Sequence, residues 1–301
     1  MPRVFLTNFY PFSPKLFGRL NLLSYFCFRK LVLRARNRCL MSHLNIFSPD
    51  FYYSVVGVML VLAVVVFVAL HRVTAGYGMM YNRRWGPSVN NRLGWVLMEA
   101  PAFVAMLCLW LFSARRVEPA PMVMGMLFLF HYFQRSFVFP LKIKGKSRMP
   151  LAIILMGVIF NVINAYMIGG WLFYVAPEGY YPVSWLWSPL FISGVLVFVA
   201  GMAINWNSDH IIRNLRRPGD TRHYIPRGGF YRYVTSANYF GEFLEWTGYA
   251  LLTWSIGGVA FAVWTFANLA PRARKIHARY VAEFGDEYTR LNRKYIIPYI
   301  Y

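Results

Sequence analysis

The chain has 301 residues, of which 58% are hydrophobic, 19% aromatic and only 14% charged. Soluble domains carry about 25% charged residues, so this composition excludes an ordinary water-soluble globule and points to lipid as the solvent. The net charge of +21 does not mark a nucleic-acid binder: the basic residues fall in gaps between apolar stretches, as an excess of Lys and Arg on one side of a membrane requires.

Residues 1–50 carry eight Lys or Arg and one acid. They lack the apolar core and small-residue cleavage site of a signal peptide. They read as a basic extension upstream of the true start, with Met41 as an alternative initiator, and residues 51–301 as a single membrane domain. Seven stretches then reach the length needed to cross a bilayer, about 20 residues: 51–71, 94–114, 119–140, 150–175, 185–207, 236–254 and 257–280. The expected fold is an all-α integral membrane bundle of seven transmembrane helices. Asn161 and Asn164 interrupt the fourth span, two acids make the sixth the least apolar, and Arg272, Arg274 and Lys275 require the seventh to leave the membrane before its end. Every second gap is basic (72–93, 141–149, 208–235 and the tail), which puts the C-terminus in the cytoplasm. A bacterial inner membrane or an endoplasmic reticulum would both fit. Cys27, Cys39 and Cys108 show no metal or redox spacing, and no metal motif occurs.

An ionisable group inside a span costs a few kcal/mol and faces a cavity or a partner. Glu99, in the second span, has no neutralising neighbour in sequence. Either an arginine on another helix pairs with it, or it is a carboxyl kept neutral by removal from water and able to donate a hydrogen bond. In the third span, His131-Tyr132-Phe133-Gln134-Arg135 is not a lipid-facing run, and Tyr132 and Arg135, three apart, share a face. A tyrosine near a buried carboxyl makes a donor pair for a carbonyl oxygen. Asn205, Asp209, Arg213 and Arg216 form one helical stripe of amide, carboxylate and guanidinium, suited to a nucleotide. Asn238, Glu242 and Glu245 also share a face; two acids there need cations, which the neighbouring basic loops can supply. No glycine-rich phosphate loop occurs, so side chains must hold any nucleotide.

The run from Tyr224-Ile225-Pro226-Arg227-Gly228-Gly229 through Ala237-Asn238-Tyr239-Phe240-Gly241-Glu242 to Glu245-Trp246-Thr247-Gly248-Tyr249 resembles the steroid 5α-reductases. So do Asn205 with Ser208-Asp209, Leu215-Arg216-Arg217-Pro218-Gly219, and the ending with Ile297-Pro298-Tyr299. Weaker matches are Gly76-Tyr77-Gly78, Trp95 to Phe103 around Glu99, and His131-Tyr132-Phe133 with Arg135. The resemblance covers about residues 51–301. It implies an NADPH-dependent reduction of a 3-oxo-Δ4 steroid, hydride going to C5 and a proton to C4. By motif, Glu99 and Tyr132 correspond to the pair that holds the 3-keto oxygen. Tyr77, Asn205, Asp209, Arg216, Asn238, Glu242, Arg272, His277 and Tyr280 correspond to cofactor contacts, and Trp95 and Arg135 are expected to line the substrate pocket. Two positions depart from the family: Ile276 stands where a second histidine is common, and Met156 where relatives have arginine.

Hydride addition to an enone builds negative charge on the ketone oxygen, so two donors aimed there would stabilise the enolate. Arginines near the cytoplasmic face would favour NADPH over NADH through its extra phosphate. The expected partners are a steroid or sterol-like enone and membrane lipid, with no nucleic acid, and the expected state is a monomer. The gap 208–235, with Pro218-Gly219 and Gly228-Gly229, is the candidate cytoplasmic lid. Alternatives are reduction of another conjugated lipid (a polyprenol or an enoyl thioester), a membrane methyltransferase of the isoprenylcysteine type, and a transporter using the buried acids as a proton relay.

Overall fold

A computed structural model describes residues 45–145, 147–216, 220 and 222–301. The chain divides into units 1–46 and 47–301, and the architecture below is that of the second. The initiator reading at Met41, most of the basic extension and the Pro218-Gly219 part of the proposed lid lie outside the described residues.

The first helix, α1 (Pro49–Arg72), starts at Ser48, whose hydroxyl accepts from Phe51 N at 3.3 Å, with Pro49 in the first turn. Its buried residues Tyr52, Val56, Met59 and Ala63 form one narrow stripe, and much of the remainder is exposed valine and leucine. That is the pattern of a helix packed along one side and facing lipid on the others.

Helix α2 (Asn91–Leu111) begins at an Asn90 cap that accepts from Arg92 N at 2.8 Å. Helix α3 (Pro119–Phe133) continues through a π-helical turn, Gln134–Val138, to Lys142. Helix α4 (Leu151–Ala165) likewise continues as a π-helix over Tyr166–Val175. Two strands, β1 (Ser88–Asn90) and β2 (Arg148–Pro150), pair antiparallel with Val89 opposite Met149. They clip the starts of α2 and α4 together, and so set Glu99 and Asn161 at one level. These short strands are the departure from an all-α fold.

Helix α5 (Pro189–Asn214) packs most extensively on α6 (Ala237–Thr253). The approach is close enough that a methyl on Gly201 would run into the Glu245 backbone, and one on Gly248 into the Phe198 backbone. Small residues let helix backbones meet in this way. Their meeting brings Asn205 and Asp209 against Asn238. Trp254, in the left-handed region (φ 43), ends α6, and Ser255 caps α7 (Ile256–Phe284) by accepting from Gly258 N at 3.1 Å. After the short α8 (Asp286–Thr289) the chain returns: Thr235 N donates to Lys294 O at 2.8 Å and Ser236 N to Tyr295 O at 3.1 Å. The tail thereby pins the segment leading into α6.

Among the described residues, five helices are long and apolar enough to cross a membrane: Pro49–Arg72, Asn91–Leu111, Pro119–Lys142, Leu151–Val175 and Pro189–Asn214. The chain is a helical, multi-pass membrane protein. The expected sixth and seventh spans correspond to α6 and α7. The 17 residues of α6 include Glu242 and Glu245, and the second half of the 29-residue α7 carries Arg272, Arg274, Lys275 and Arg279. Both are helices of the bundle whose length and composition do not mark them as membrane-crossing.

Candidate active site

A cavity of ≈1670 Å³ runs through the bundle. Pockets for one small ligand span about 300–1,000 Å³, so this one has room for two. Its apolar walls come from α1 (Met59, Leu62, Val66), α4 (Phe160, Ile163) and α7 (Trp264). Its polar part gathers residues from α5, α6 and α7 and from three of the basic gaps, among them Arg92, Lys144, Arg213, Arg216 and Tyr224. Of the sequence-predicted residues, Tyr77, Trp95, Glu99, Tyr132, Arg135, Asp209, Arg216, Asn238, Glu242, Arg272 and Tyr280 all line it.

Glu99 sits one turn beyond Trp95 on α2. It is met by an amide, Asn161 Nδ2 at 3.2 Å from Oε2, rather than by the arginine that its isolation in sequence allowed. Tyr132, 3% exposed on the last turn of α3, donates its hydroxyl to Asn161 Oδ1 at 3.2 Å and accepts from Asn164 Nδ2 at 3.1 Å. Phe128 and Trp246 pack against its ring. The expected carboxyl–phenol pair is therefore joined through one asparagine. In sequence Asn161 and Asn164 stand as interruptions of an apolar span, and two amides three apart in such a run are the signal of a polar junction.

Arg135 occupies the π-helical turn. Its guanidinium lies 3.6 Å from Asp209 Oδ2 and 3.4 Å from Glu242 Oε2, over the rings of Trp95 and Phe139. Glu245 is bonded to His131 Nδ1 at 2.7 Å, both buried. The partners of the two acids of α6, Arg135 and His131, thus come from α3 and its π-helical turn, not from the neighbouring basic loops. Arg135 joins the polar cluster of α5 and α6 as well as lining the pocket beside Trp95.

Asn238 Nδ2 donates to Asp209 Oδ1 at 3.3 Å. Arg272 donates to Tyr239 Oη at 2.9 Å and to Tyr77 O at 3.3 Å, with its guanidinium 3.6 Å from the Tyr77 ring centre. Burial pushes the Tyr77 phenol up to about 12, so the cation rests on a neutral ring. Two predicted cofactor residues stand elsewhere. Asn205 does not line the cavity; its Nδ2 donates to Asn238 O at 2.9 Å and so holds the first turn of α6. His277 also lies outside the lining: its Nδ1 meets Thr235 Oγ1 at 2.7 Å, between the rings of Tyr288 and Tyr295. Tail packing claims that imidazole.

The donor set fits an anionic dinucleotide. Arg272 Nη1 and Ser236 Oγ are buried without a hydrogen-bond partner, and both residues line the cavity. Buried donors of this kind call for an acceptor. Arg213 and Arg216 add cations suited to phosphate. Among the described residues no group of His, Cys, Asp and Glu could hold a metal ion.

The sequence profile of the family described as 3-oxo-5-alpha-steroid 4-dehydrogenase matches residues 147–301. The chain is 41% identical over 242 residues to 3-oxo-5-alpha-steroid 4-dehydrogenase 1 of Mus musculus, covering 79% of this chain and 92% of that protein. It is 35% identical over 240 residues to steroid 5-alpha-reductase DET2 of Arabidopsis thaliana, covering 78% and 90%. The Homo sapiens 3-oxo-5-alpha-steroid 4-dehydrogenase 1 is 41% identical over 228 residues, covering 74% and 86%.

Proposed function

The chain belongs to the 3-oxo-5-alpha-steroid 4-dehydrogenase family of oxidoreductases, and on that premise we propose that it reduces the Δ4 double bond of 3-oxo-Δ4 steroids to 5α-3-oxosteroids with NADPH. The observation that carries this reading is the join between Glu99 and Tyr132 through Asn161, set between an apolar wall and a polar, arginine-bearing one. When bound, the cofactor would supply a hydride to C5, and negative charge would build on the 3-oxygen. The Tyr132 hydroxyl and the proton of a neutral Glu99 hold that oxygen, and their bonds strengthen as the charge grows. A proton then adds at C4.

Tyr77, Asp209, Arg216, Asn238, Glu242, Arg272 and Tyr280 would hold the dinucleotide. Asn205 and His277 would act from behind, by fixing the start of α6 and the tail. Trp95 and Arg135 wall the site where the two ligands meet, and Met59, Leu62 and Trp264 belong to a surface suited to four fused rings. In this reading all seven long helices span the membrane as one domain, a monomer with its C-terminus in the cytoplasm.

Detergent-purified protein with NADPH and progesterone or testosterone is expected to give a product two mass units heavier, with loss of the enone absorbance. Turnover of a long-chain enoyl thioester with none of the steroids would move the reading to another conjugated lipid. Binding of S-adenosylmethionine in place of NADPH would move it to methyl transfer.

A further inference from the structure

We infer that Asn161 is a positioning residue of the reaction: its side-chain amide sets which oxygen of Glu99 carries the proton and parks the Tyr132 hydroxyl until a ketone arrives. This rests on the reading above and adds to it a residue that touches both donors. Asn161 is 4% exposed, lines the cavity and sits in a helix otherwise rich in Ile, Leu and Val. A buried amide in that setting needs its partners.

Its orientation is fixed by geometry. Asn161 Nδ2 donates to Met98 O at 2.7 Å and to Glu99 Oε2 at 3.2 Å, which uses both of its protons. Turning the amide over would set Oδ1 against the Met98 carbonyl, acceptor against acceptor. Oδ1 therefore faces Tyr132 and can only accept, so the single phenolic proton points at it, 3.2 Å away oxygen to oxygen. The phenolic oxygen meanwhile accepts from Asn164 Nδ2 at 3.1 Å.

Two consequences follow for the chemistry. Because Oε2 of Glu99 accepts from the amide, the proton of the neutral carboxyl resides on Oε1, and that oxygen is the one able to donate to a ketone. Because the parked phenol bond is long and joins neutral groups, swinging the hydroxyl onto an oxygen gaining charge exchanges a weak bond for a charge-assisted one. The gain is greatest in the transition state, so Asn161 acts on turnover rather than on substrate affinity.

The test is steady-state kinetics on the full chain with NADPH and testosterone. Asn161→Leu, close in volume and without polar atoms, is expected to lower kcat about tenfold to a hundredfold, the scale of a small misplacement of a reacting group. KM for steroid and for NADPH should stay within about twofold. Asn161→Gln keeps an amide but shifts it by one methylene, and is expected to lower kcat as well; it secures the test should the leucine variant fail to fold. In the Glu99→Leu, Tyr132→Phe background, where neither donor remains to be positioned, Asn161→Leu is expected to cost almost nothing further. Unchanged kcat in folded Asn161→Leu, or a loss that persists in that background, or a loss accompanied by a raised KM for NADPH, would each overturn the inference. A wild-type protein silent on every 3-oxo-Δ4 steroid would instead overturn the proposed function.

Discussion

Replacing Tyr132 with phenylalanine is expected to lower kcat for a 3-oxo-Δ4 steroid by about 10²–10³-fold, the cost of removing one preorganised donor from a developing oxyanion. The substitution keeps the ring among Phe128 and Trp246 and deletes only the hydroxyl. That hydroxyl does nothing for the apolar body of the substrate, so KM should change far less than kcat. Asn161 Oδ1 and Asn164 Nδ2 each lose a partner, and stability should fall by about 1–3 kcal/mol, the cost of leaving a buried polar group unmade. Glu99→Gln makes the companion experiment. The amide keeps the shape and can still donate, but it has no acidic proton, so turnover should fall with the fold intact. Steady-state kinetics with thermal unfolding of the same samples check both variants; full activity in either removes that residue from the mechanism.

The second large effect falls on the fold. Arg135→Leu is expected to destabilise the protein by about 3–5 kcal/mol, the cost of leaving a buried charge without its partner. The Asp209 and Glu242 side chains are only 10% and 20% exposed, and Arg135 is the guanidinium that reaches both. The substitution also removes a cation resting on Trp95 and Phe139, which ties α2 to the polar cluster of α5 and α6. Arg135→Lys should recover only part of the loss, because an ammonium cannot span two carboxylates and stack on two rings as a planar guanidinium does. Thermal unfolding in detergent, with and without NADPH, reads both variants. An Arg135→Leu variant that melts with the wild type would show that the two acids need no cation.

The apolar stretches were legible because hydropathy is a local property. The first five mark long helices near their expected bounds, as Pro49–Arg72 and Asn91–Leu111 illustrate. Helix α6 was ambiguous for a physical reason: the partners of Glu242 and Glu245 are Arg135 and His131, more than a hundred residues earlier. Pairing across that distance leaves no trace in a window. Glu99 and Tyr132 could be singled out as polar groups in apolar surroundings, whereas the amide joining them could not be given a role before α2, α3 and α4 were seen together. The contact between α5 and α6 had a readable signal, Gly194 and Gly201 against Gly241 and Gly248, each pair seven apart. The return of the tail to Thr235 and Ser236 had none, since the bonds to Lys294 O and Tyr295 O are main-chain and indifferent to side-chain type.

The most direct test of the central claim is to follow the hydride. NADPH deuterated at its transferring position, incubated with the protein and progesterone, is expected to give a 5α-reduced product carrying one deuterium at C5, seen by mass and by NMR, with the deuterium absent from C4. Deuterium at C3, which marks carbonyl reduction, or a reduced steroid without deuterium, would contradict the account.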